Sequence, residues 1–176
     1  NEAYSIDEAD QHIPGLLQGK EYVYYAYGRH EAFDSRMLGW MNQVRAQLRS
    51  GINIPNHIIN IESITHEMRL IKSEEEIALM QEAVDINIRA FKTAIKKCRP
   101  GIREYEVAAE LEYQYKKQGA TELAFSLIVG TGEHGTILHY EPSDAELKSG
   151  ELVLIDAGCA VGHYCSDITR TLPVNG

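Results

Sequence analysis

Residues 151–171 decide the fold, and they read Glu151-Leu-Val-Leu-Ile-Asp156-Ala-Gly-Cys-Ala-Val-Gly162-His-Tyr-Cys-Ser-Asp167-Ile-Thr-Arg-Thr171. The short apolar run 152–155 is typical of a strand that is buried on both faces. Gly162 can adopt the positive φ that tight hairpin turns often need. The pattern therefore predicts a β-hairpin with one carboxylate on each strand, Asp156 and Asp167.

The spacing of these carboxylates predicts a metal-binding pair. A two-residue loop at Val161 and Gly162 would place Asp156 directly opposite Asp167, with their Cβ atoms about 4.5–5.5 Å apart. Two like charges at that distance on a buried face need a shared proton or a cation. Hard carboxylate oxygens favour Mn²⁺ or Mg²⁺. The alternative is that both aspartates lie on a solvated rim, or that a bulge changes the register.

The composition describes an acidic chain that is large enough for one domain or two small ones. It has 176 residues, of which 44% are hydrophobic, and a net charge of −9. This charge argues against nucleic acid and anionic membranes as partners, because both favour a basic surface. The three cysteines form no CxxC pair and are expected to be reduced thiols in a cytoplasmic protein. A start without Met and an end just after the hairpin are expected of a segment of a longer protein.

Two amphipathic helices are predicted before the hairpin. The first begins at a capping box of Ser73 and Glu76 and stops at Pro100-Gly101, about 25 residues later. The second is predicted over 104–118. The charged residues of both helices are expected to lie on solvated faces.

The remaining elements are predicted from shorter patterns. A helix is expected over 31–49, and strands over 21–27, 123–129 and 136–140. Residues 52–65 are predicted to form a strand or an irregular connection, with a domain boundary near residues 65–66.

Three histidines lie in or near the predicted hairpin. His139 ends a predicted strand 17 residues before Asp156. A lone histidine there is more often structural, but beside a carboxylate pair it is a candidate proton donor or substrate ligand. His134 and His163 lie next to glycines and are predicted to be solvated.

Six blocks of the sequence resemble the Xaa-Pro aminopeptidase (aminopeptidase P) family. They are Glu67-Met-Arg-Leu-Ile-Lys-Ser-Glu-Glu-Glu-Ile77, Cys98-Arg-Pro-Gly101, Ile128-Val-Gly-Thr-Gly132, Ile137-Leu-His-Tyr140, Leu152-Val-Leu-Ile-Asp-Ala-Gly-Cys159 and Ser166-Asp-Ile-Thr-Arg-Thr-Leu-Pro-Val-Asn-Gly176. The two aspartates, 11 residues apart, are similar to the hairpin of the pita-bread metallopeptidases. The resemblance is dense over 67–176 and loose over 1–66.

This resemblance implies the fold and the domain organisation. The fold would be α+β, part of a pita-bread (creatinase/aminopeptidase) fold with long amphipathic helices packed on an antiparallel sheet. Residues 67–176 would form the N-terminal half of the catalytic domain. Residues 1–66 would form the C-terminal part of an α/β N-terminal domain.

The resemblance also implies a function. The family releases the N-terminal residue from peptides with proline in second position, by two-metal activation of a bridging water. Its cofactors are two divalent ions, usually Mn²⁺. Asp156 and Asp167 match its two aspartate ligands, and His139 matches a catalytic histidine that contacts substrate and helps to handle protons. Phe125 falls near an aromatic residue of the family's substrate pocket.

The resemblance further implies that part of the metal site lies elsewhere. One histidine and two glutamate ligands would follow Gly176, so the segment alone is expected to be inactive. Its expected partner is a proline-containing peptide, and a homo-oligomer is expected; the exposed half-sheet should favour association with the rest of the catalytic domain or with another copy. Two alternatives remain open, an Xaa-Pro dipeptidase (prolidase) and a non-catalytic pita-bread binding module. The 66 residues before the catalytic part disfavour a minimal methionine aminopeptidase.

Overall fold

The computed structural model describes residues 3–175, and their contacts divide after Ile71 into two compact units. The boundary expected near residues 65–66 falls inside a helix, Glu62–Leu70, and the observed division follows that helix. This helix buries no side chain although its sequence is amphipathic, and its apolar residues Ile64, Met68 and Leu70 are exposed.

The first unit is a small α/β arrangement. Its elements are α1 (Ala9–Leu17), β1 (Tyr22–Tyr25), α2 (Glu31–Arg45), β2 (His57–Asn60) and α3 (Glu62–Leu70). The two strands pair in parallel, and α2 makes the crossover that a parallel pair requires. α2 packs its apolar face inward and buries Met37, Trp40, Met41 and Val44. It ends four residues before the predicted position, Arg49.

The second unit packs two helices on antiparallel strands. Its elements are α4 (Glu74–Lys97), α5 (Glu104–Lys117), β3 (Glu122–Leu123), β4 (Ile128–Thr131), β5 (Leu152–Ala157), β6 (Cys159–Val161), β7 (Tyr164–Cys165) and β8 (Ile168–Pro173). The strands form two sheets, in the orders β3-β6-β7 and β4-β5-β8. The predicted combination of long helices and an antiparallel sheet is therefore present.

Both predicted helices of this unit are confirmed. Ser73 Oγ accepts a hydrogen bond from the Glu76 backbone N–H at 3.3 Å, and Glu76 Oε2 accepts one from the Ser73 N–H at 2.7 Å. This capping box satisfies two donors that a helix start otherwise leaves unpaired. The cysteines Cys98, Cys159 and Cys165 are free thiols. None of the helices within residues 3–175 is long and apolar enough to span a bilayer.

The predicted register of the hairpin is wrong. The turn residues are Gly162 and His163, at φ 54° and 69°, and not Val161 and Gly162. A tight turn with two positive φ angles tolerates glycine and, less readily, histidine, whereas a β-branched valine strongly resists them. Asp156 consequently pairs with Thr169 on β8 instead of with residue 167.

Two other predicted strands also differ. The strand expected over 123–129 is divided into β3 and β4 by an irregular break at residues 124–127. Residues 136–140 form the end of a 3₁₀ helix, Gly132–Thr136, and a turn. The chain folds back here because Gly130 packs against backbone: a Cβ at this position would lie 2.8 Å from Gly135 N.

Candidate active site

A cleft of about 440 Å³ opens beside the β4-β5-β8 sheet of the second unit. Its walls bring together seven side chains from four parts of the sequence. They are Phe125, Ser126, Ile128, His139, Glu141, Asp156 and Asp167. All four residues singled out from the sequence line this one cleft, together with Ser126, Ile128 and Glu141, which the sequence patterns did not single out.

The two aspartates share the cleft although they are not direct partners. Asp156 lies near the end of β5 and faces Thr169, and Asp167 precedes Thr169 by two residues. Side chains along a strand alternate between faces with a period of two. The observed register therefore changes the pair from directly opposite to diagonal, and it leaves both carboxylates on one face.

The surroundings of the pair suit a cation. Asp156 Oδ1 is buried and accepts no hydrogen bond from residues 3–175. Although Asp167 is exposed, partial desolvation raises the pKa of its carboxyl, and the nearby charge of Asp156 raises it further. A buried, unpaired carboxylate oxygen is unfavourable, and a divalent ion that prefers oxygen ligands would compensate it. The two carboxylates thus provide oxygen ligands for one side of such an ion. The described residues contain no cluster of three or more potential ligands, so they do not surround it.

Gly158 permits the close approach that builds the cleft. A Cβ at this position would lie 2.0 Å from Ser166 O and 2.9 Å from Phe125 Cε1. Only hydrogen fits there, so the returning chain and the aromatic ring pack directly on the backbone next to Asp156. Gly158 also separates β5 from β6, where the chain passes from one sheet to the other.

His139 reaches the cleft from a turn. Its φ is 54°, its side chain is exposed, and in the part of the chain that the structure describes its ring makes no hydrogen bond. Phe125 is half-buried on the same cleft and contributes an apolar wall. His163, in contrast, lies at the exposed hairpin turn, as predicted.

Two predictions about solvated groups are wrong in this region. Glu104, at the start of α5, has no exposed surface, although the charges of that helix were expected to face solvent. His134 was also expected to be solvated, but its Nδ1 lies 2.9 Å from Glu104 Oε1 and its ring stacks on Tyr140. No local signal distinguishes Glu104, because a glutamate in the first turn of a helix is ordinary.

Comparisons of the sequence with known proteins identify relatives of this chain. Metallopeptidase family M24 matches residues 78–176. The chain is 40% identical over 174 residues to the Xaa-Pro aminopeptidase of Escherichia coli, which covers 99% of this chain and 40% of that protein. It is also 40% identical over 114 residues to the Xaa-Pro dipeptidase of Pyrococcus furiosus, covering 65% of this chain and 33% of that protein.

Comparison with solved structures also identifies aminopeptidases as similar proteins. Aminopeptidase PepP of Pseudomonas aeruginosa superposes with a TM-score of 0.93 at 43% identity, covering 99% of this chain and 39% of that chain. The likeness confirms the predicted pita-bread fold and the resemblance to aminopeptidase P. The chain spans about 40% of the length of these aminopeptidases. With more than half of its residues matched by the family, the chain belongs to metallopeptidase family M24.

Proposed function

We propose that the protein carrying this chain is a metal-dependent aminopeptidase that releases the N-terminal residue from peptides with proline in second position. The observation that carries the proposal is the convergence of Asp156, Asp167 and His139 on one cleft. Further support comes from the similarity of nearly the whole chain to an Xaa-Pro aminopeptidase.

Two Mn²⁺ ions are the proposed cofactors, with Asp156 and Asp167 as the ligands that this chain contributes. The unpaired buried Oδ1 of Asp156 and the mutual repulsion of the carboxylates support this assignment. When bound, the ions would supply Lewis-acid activation of water and of the scissile carbonyl.

The other cleft residues have proposed roles toward the peptide. His139 can donate a hydrogen bond to a carbonyl oxygen of the substrate, because an imidazole always carries at least one N–H and this ring has no partner within residues 3–175. Phe125 presents an apolar surface on which a substrate side chain or ring can pack. Both residues would bind and orient the peptide substrate, which lowers the entropic part of the activation barrier for its hydrolysis.

The test is a cleavage assay on the full-length protein with Mn²⁺. An Xaa-Pro-Yaa tripeptide should lose its first residue, and the matched Xaa-Ala-Yaa peptide should be left intact. Chelation of the metal should stop the reaction. Equal cleavage of both peptides, or full activity in excess chelator, would contradict the proposal.

The second candidate function is that of an Xaa-Pro dipeptidase. The observation in its favour is the 40% identity to the Pyrococcus furiosus dipeptidase. That similarity covers only 65% of this chain, whereas the similarity to the aminopeptidase covers 99%, so the aminopeptidase remains the first candidate. Hydrolysis of Xaa-Pro dipeptides, but not of longer Xaa-Pro peptides, would favour this candidate. A non-catalytic binding module is disfavoured because both carboxylates are retained.

Further proposals concern the context of the chain. Residues 67–176 are proposed as the N-terminal half of the catalytic domain, and 1–66 as the end of an α/β domain that precedes it. The protein is proposed to act in the cytoplasm as a homo-oligomer. Cell fractionation and light scattering on the full-length protein test these two statements.

A further inference from the structure

One buried carboxylate holds the segment from which His139 reaches the cleft. Glu104 is the first residue of α5, and 0% of its surface is exposed. Carboxylates are almost never so buried unless their oxygens are paired. Among residues 3–175, every hydrogen-bond partner of this carboxylate lies in one stretch of chain, residues 131–143.

Hydrogen bonds from backbone N–H groups join both ends of this stretch to Glu104. At its start, Thr131 N donates to Oε1 at 2.8 Å. At its end, Ser143 N and Ser143 Oγ donate to Oε2 at 2.9 and 2.7 Å. Charge-assisted bonds of this kind are stronger than neutral ones. The carboxylate therefore clamps the two ends of the stretch against the helix.

Tyr140 connects this clamp to His139, its neighbour in the chain. Its hydroxyl lies 2.9 Å from Glu104 Oε2 and 2.8 Å from His134 Nδ1. Its ring stacks on His134 with the ring centroids 4.6 Å apart. The residue directly after His139 is thus held both by packing and by polar contacts.

His139 has no comparable anchor of its own. Its side chain is exposed, and its ring makes no hydrogen bond within the described range 3–175. Its positive φ of 54° is uncommon for a residue other than glycine and persists where the surroundings impose it. The direction of the imidazole into the cleft consequently depends on Tyr140 and on the carboxylate behind it.

We propose that Glu104 is a positioning residue that holds residues 131–143 in the conformation that brings His139 to the cleft. Glu104 does not line the cleft, so it acts on the reaction through His139. The activity measurement below rests on the proposed aminopeptidase function, whereas the measurement of loop order does not.

The test of loop order compares Glu104→Gln in the full-length protein with Glu112→Gln, at a glutamate on the same helix whose side chain is 44% exposed. Glutamine keeps the shape of the side chain but replaces one acceptor oxygen by an NH₂ donor, so the bonds from Thr131 or from Ser143 are lost. Amide hydrogen exchange in residues 131–143 should become about tenfold faster in Glu104→Gln. It should not change in Glu112→Gln or within α4.

Tyr140→Phe provides a second route if Glu104→Gln does not fold. It removes one hydroxyl from the network, and faster exchange over residues 131–143 is again expected. If both variants fold and the exchange rates over residues 131–143 are unchanged in both, the inference is overturned. If only Tyr140→Phe folds, unchanged exchange in that variant overturns it. Both outcomes hold whatever the activity of the enzyme.

The activity measurement asks whether the effect runs through His139. Misplacing this side chain should lower kcat on an Xaa-Pro-Yaa peptide about 100-fold in Glu104→Gln. In a His139→Ala background, Glu104→Gln should cause little further loss, because coupled residues are not additive. Fully additive losses would overturn the role through His139. If the parent protein cleaves no peptide, the proposed function fails, and hydrogen exchange alone then decides whether Glu104 orders the loop.

Discussion

At the scale of single residues, the pair of carboxylates is the feature that distinguishes the cleft. Asp156 and Asp167 lie diagonally across β5 and the chain that leads into β8, and one Asp156 oxygen is buried without a hydrogen-bond partner in residues 3–175. Removing either charge should therefore relieve repulsion in the protein while it weakens the binding of a cation.

Asp167→Asn in the full-length protein should abolish two-metal binding and lower kcat on an Xaa-Pro peptide by about 100-fold or more. An amide is neutral and a weaker ligand for a hard cation, so both the charge and one donor are lost. Metal content and peptide turnover are the measurements. Asp144→Asn, at a side chain that is 85% exposed in the same unit, is the control. Near-normal turnover in Asp167→Asn would contradict the assigned role.

Gly158→Ala should destabilise the second unit by about 3 kcal/mol, because the added methyl group cannot avoid Ser166 O, 2.0 Å from the Cβ position. Urea unfolding followed by circular dichroism measures the loss. Gly39→Ala, in the middle of α2 with nothing within 4 Å of its Cβ position, should instead raise helix stability by about 1 kcal/mol. Equal stability of Gly158→Ala and the parent would show that the close approach does not exist.

At the scale of secondary structure, one buried amide joins two helices to the strand that ends at the site. Asn87 lies within the apolar stripe of α4 and is 0% exposed. Its Nδ2 donates to Ala157 O at 2.8 Å, and its Oδ1 accepts from Tyr115 Oη at 2.7 Å. Burial raises the pKa of Tyr115, so its hydroxyl stays protonated as the donor.

Asn87→Ala should lower the free energy of unfolding by about 2–3 kcal/mol, because it removes the hydrogen-bond acceptor of the buried Tyr115 hydroxyl and one donor to the Ala157 carbonyl. Tyr115→Phe should cost about 1 kcal/mol. The double variant should cost less than the sum, since both changes remove the same hydrogen bond. Denaturant titrations of the four proteins measure this cycle, and strict additivity would argue against the bond.

At the scale of the whole molecule, the buried carboxylate of Glu104 makes the stability of the second unit depend on pH. Burial by itself would raise the pKa of Glu104, but hydrogen bonds from Thr131, Ser143 and His134 outweigh it and hold the pKa below its ordinary value. Tyr140 is the other titratable group that faces this carboxyl. The acid stability of the second unit should therefore depend on Glu104.

The pH dependence has a definite sign. A carboxyl with a lower pKa when folded stabilises the protein fully above its unfolded pKa, near 4.5, and this contribution is lost as the pH falls through the folded value. The free energy of unfolding should accordingly drop between neutral pH and about pH 3, and Glu104→Gln should reduce that drop. Urea titrations across this range test it. An identical pH profile in the variant would contradict the assignment.

The 176-residue chain by itself should bind Mn²⁺ weakly, with at most one ion, and should not cleave peptides. Two carboxylates provide too few ligands for a stable two-metal site, and residues 3–175 offer no larger cluster. Isothermal titration calorimetry with Mn²⁺ measures the binding. Tight binding of two ions by this chain would contradict the expectation that further ligands are needed.

Much of the site was predictable because its signals are local. The capping box at Ser73 defines the start of α4, and the helix ends at Lys97, three residues before the predicted stop at Pro100, since helix ends depend on adjacent backbone groups. The pairing of Asp156 and Asp167 on one face was also predictable. A change in pairing by two residues preserves the face, so the prediction of the face is correct although the turn is shifted by one residue.

The sequence by itself determined α4, α5, the hairpin that bears the carboxylates, and the family resemblance, because these depend on local periodicity and short motifs. Only the tertiary structure decided the turn at Gly162 and His163, the diagonal placement of the aspartates, and the burial of Glu104. The turn and the register that follows from it depend on which residues adopt a positive φ, whereas the burial of Glu104 depends on contacts between groups far apart in the sequence. A glutamate in a first helical turn faces solvent or the core according to what packs over it, and here the distant stretch 131–143 supplies the five hydrogen bonds that make its burial possible.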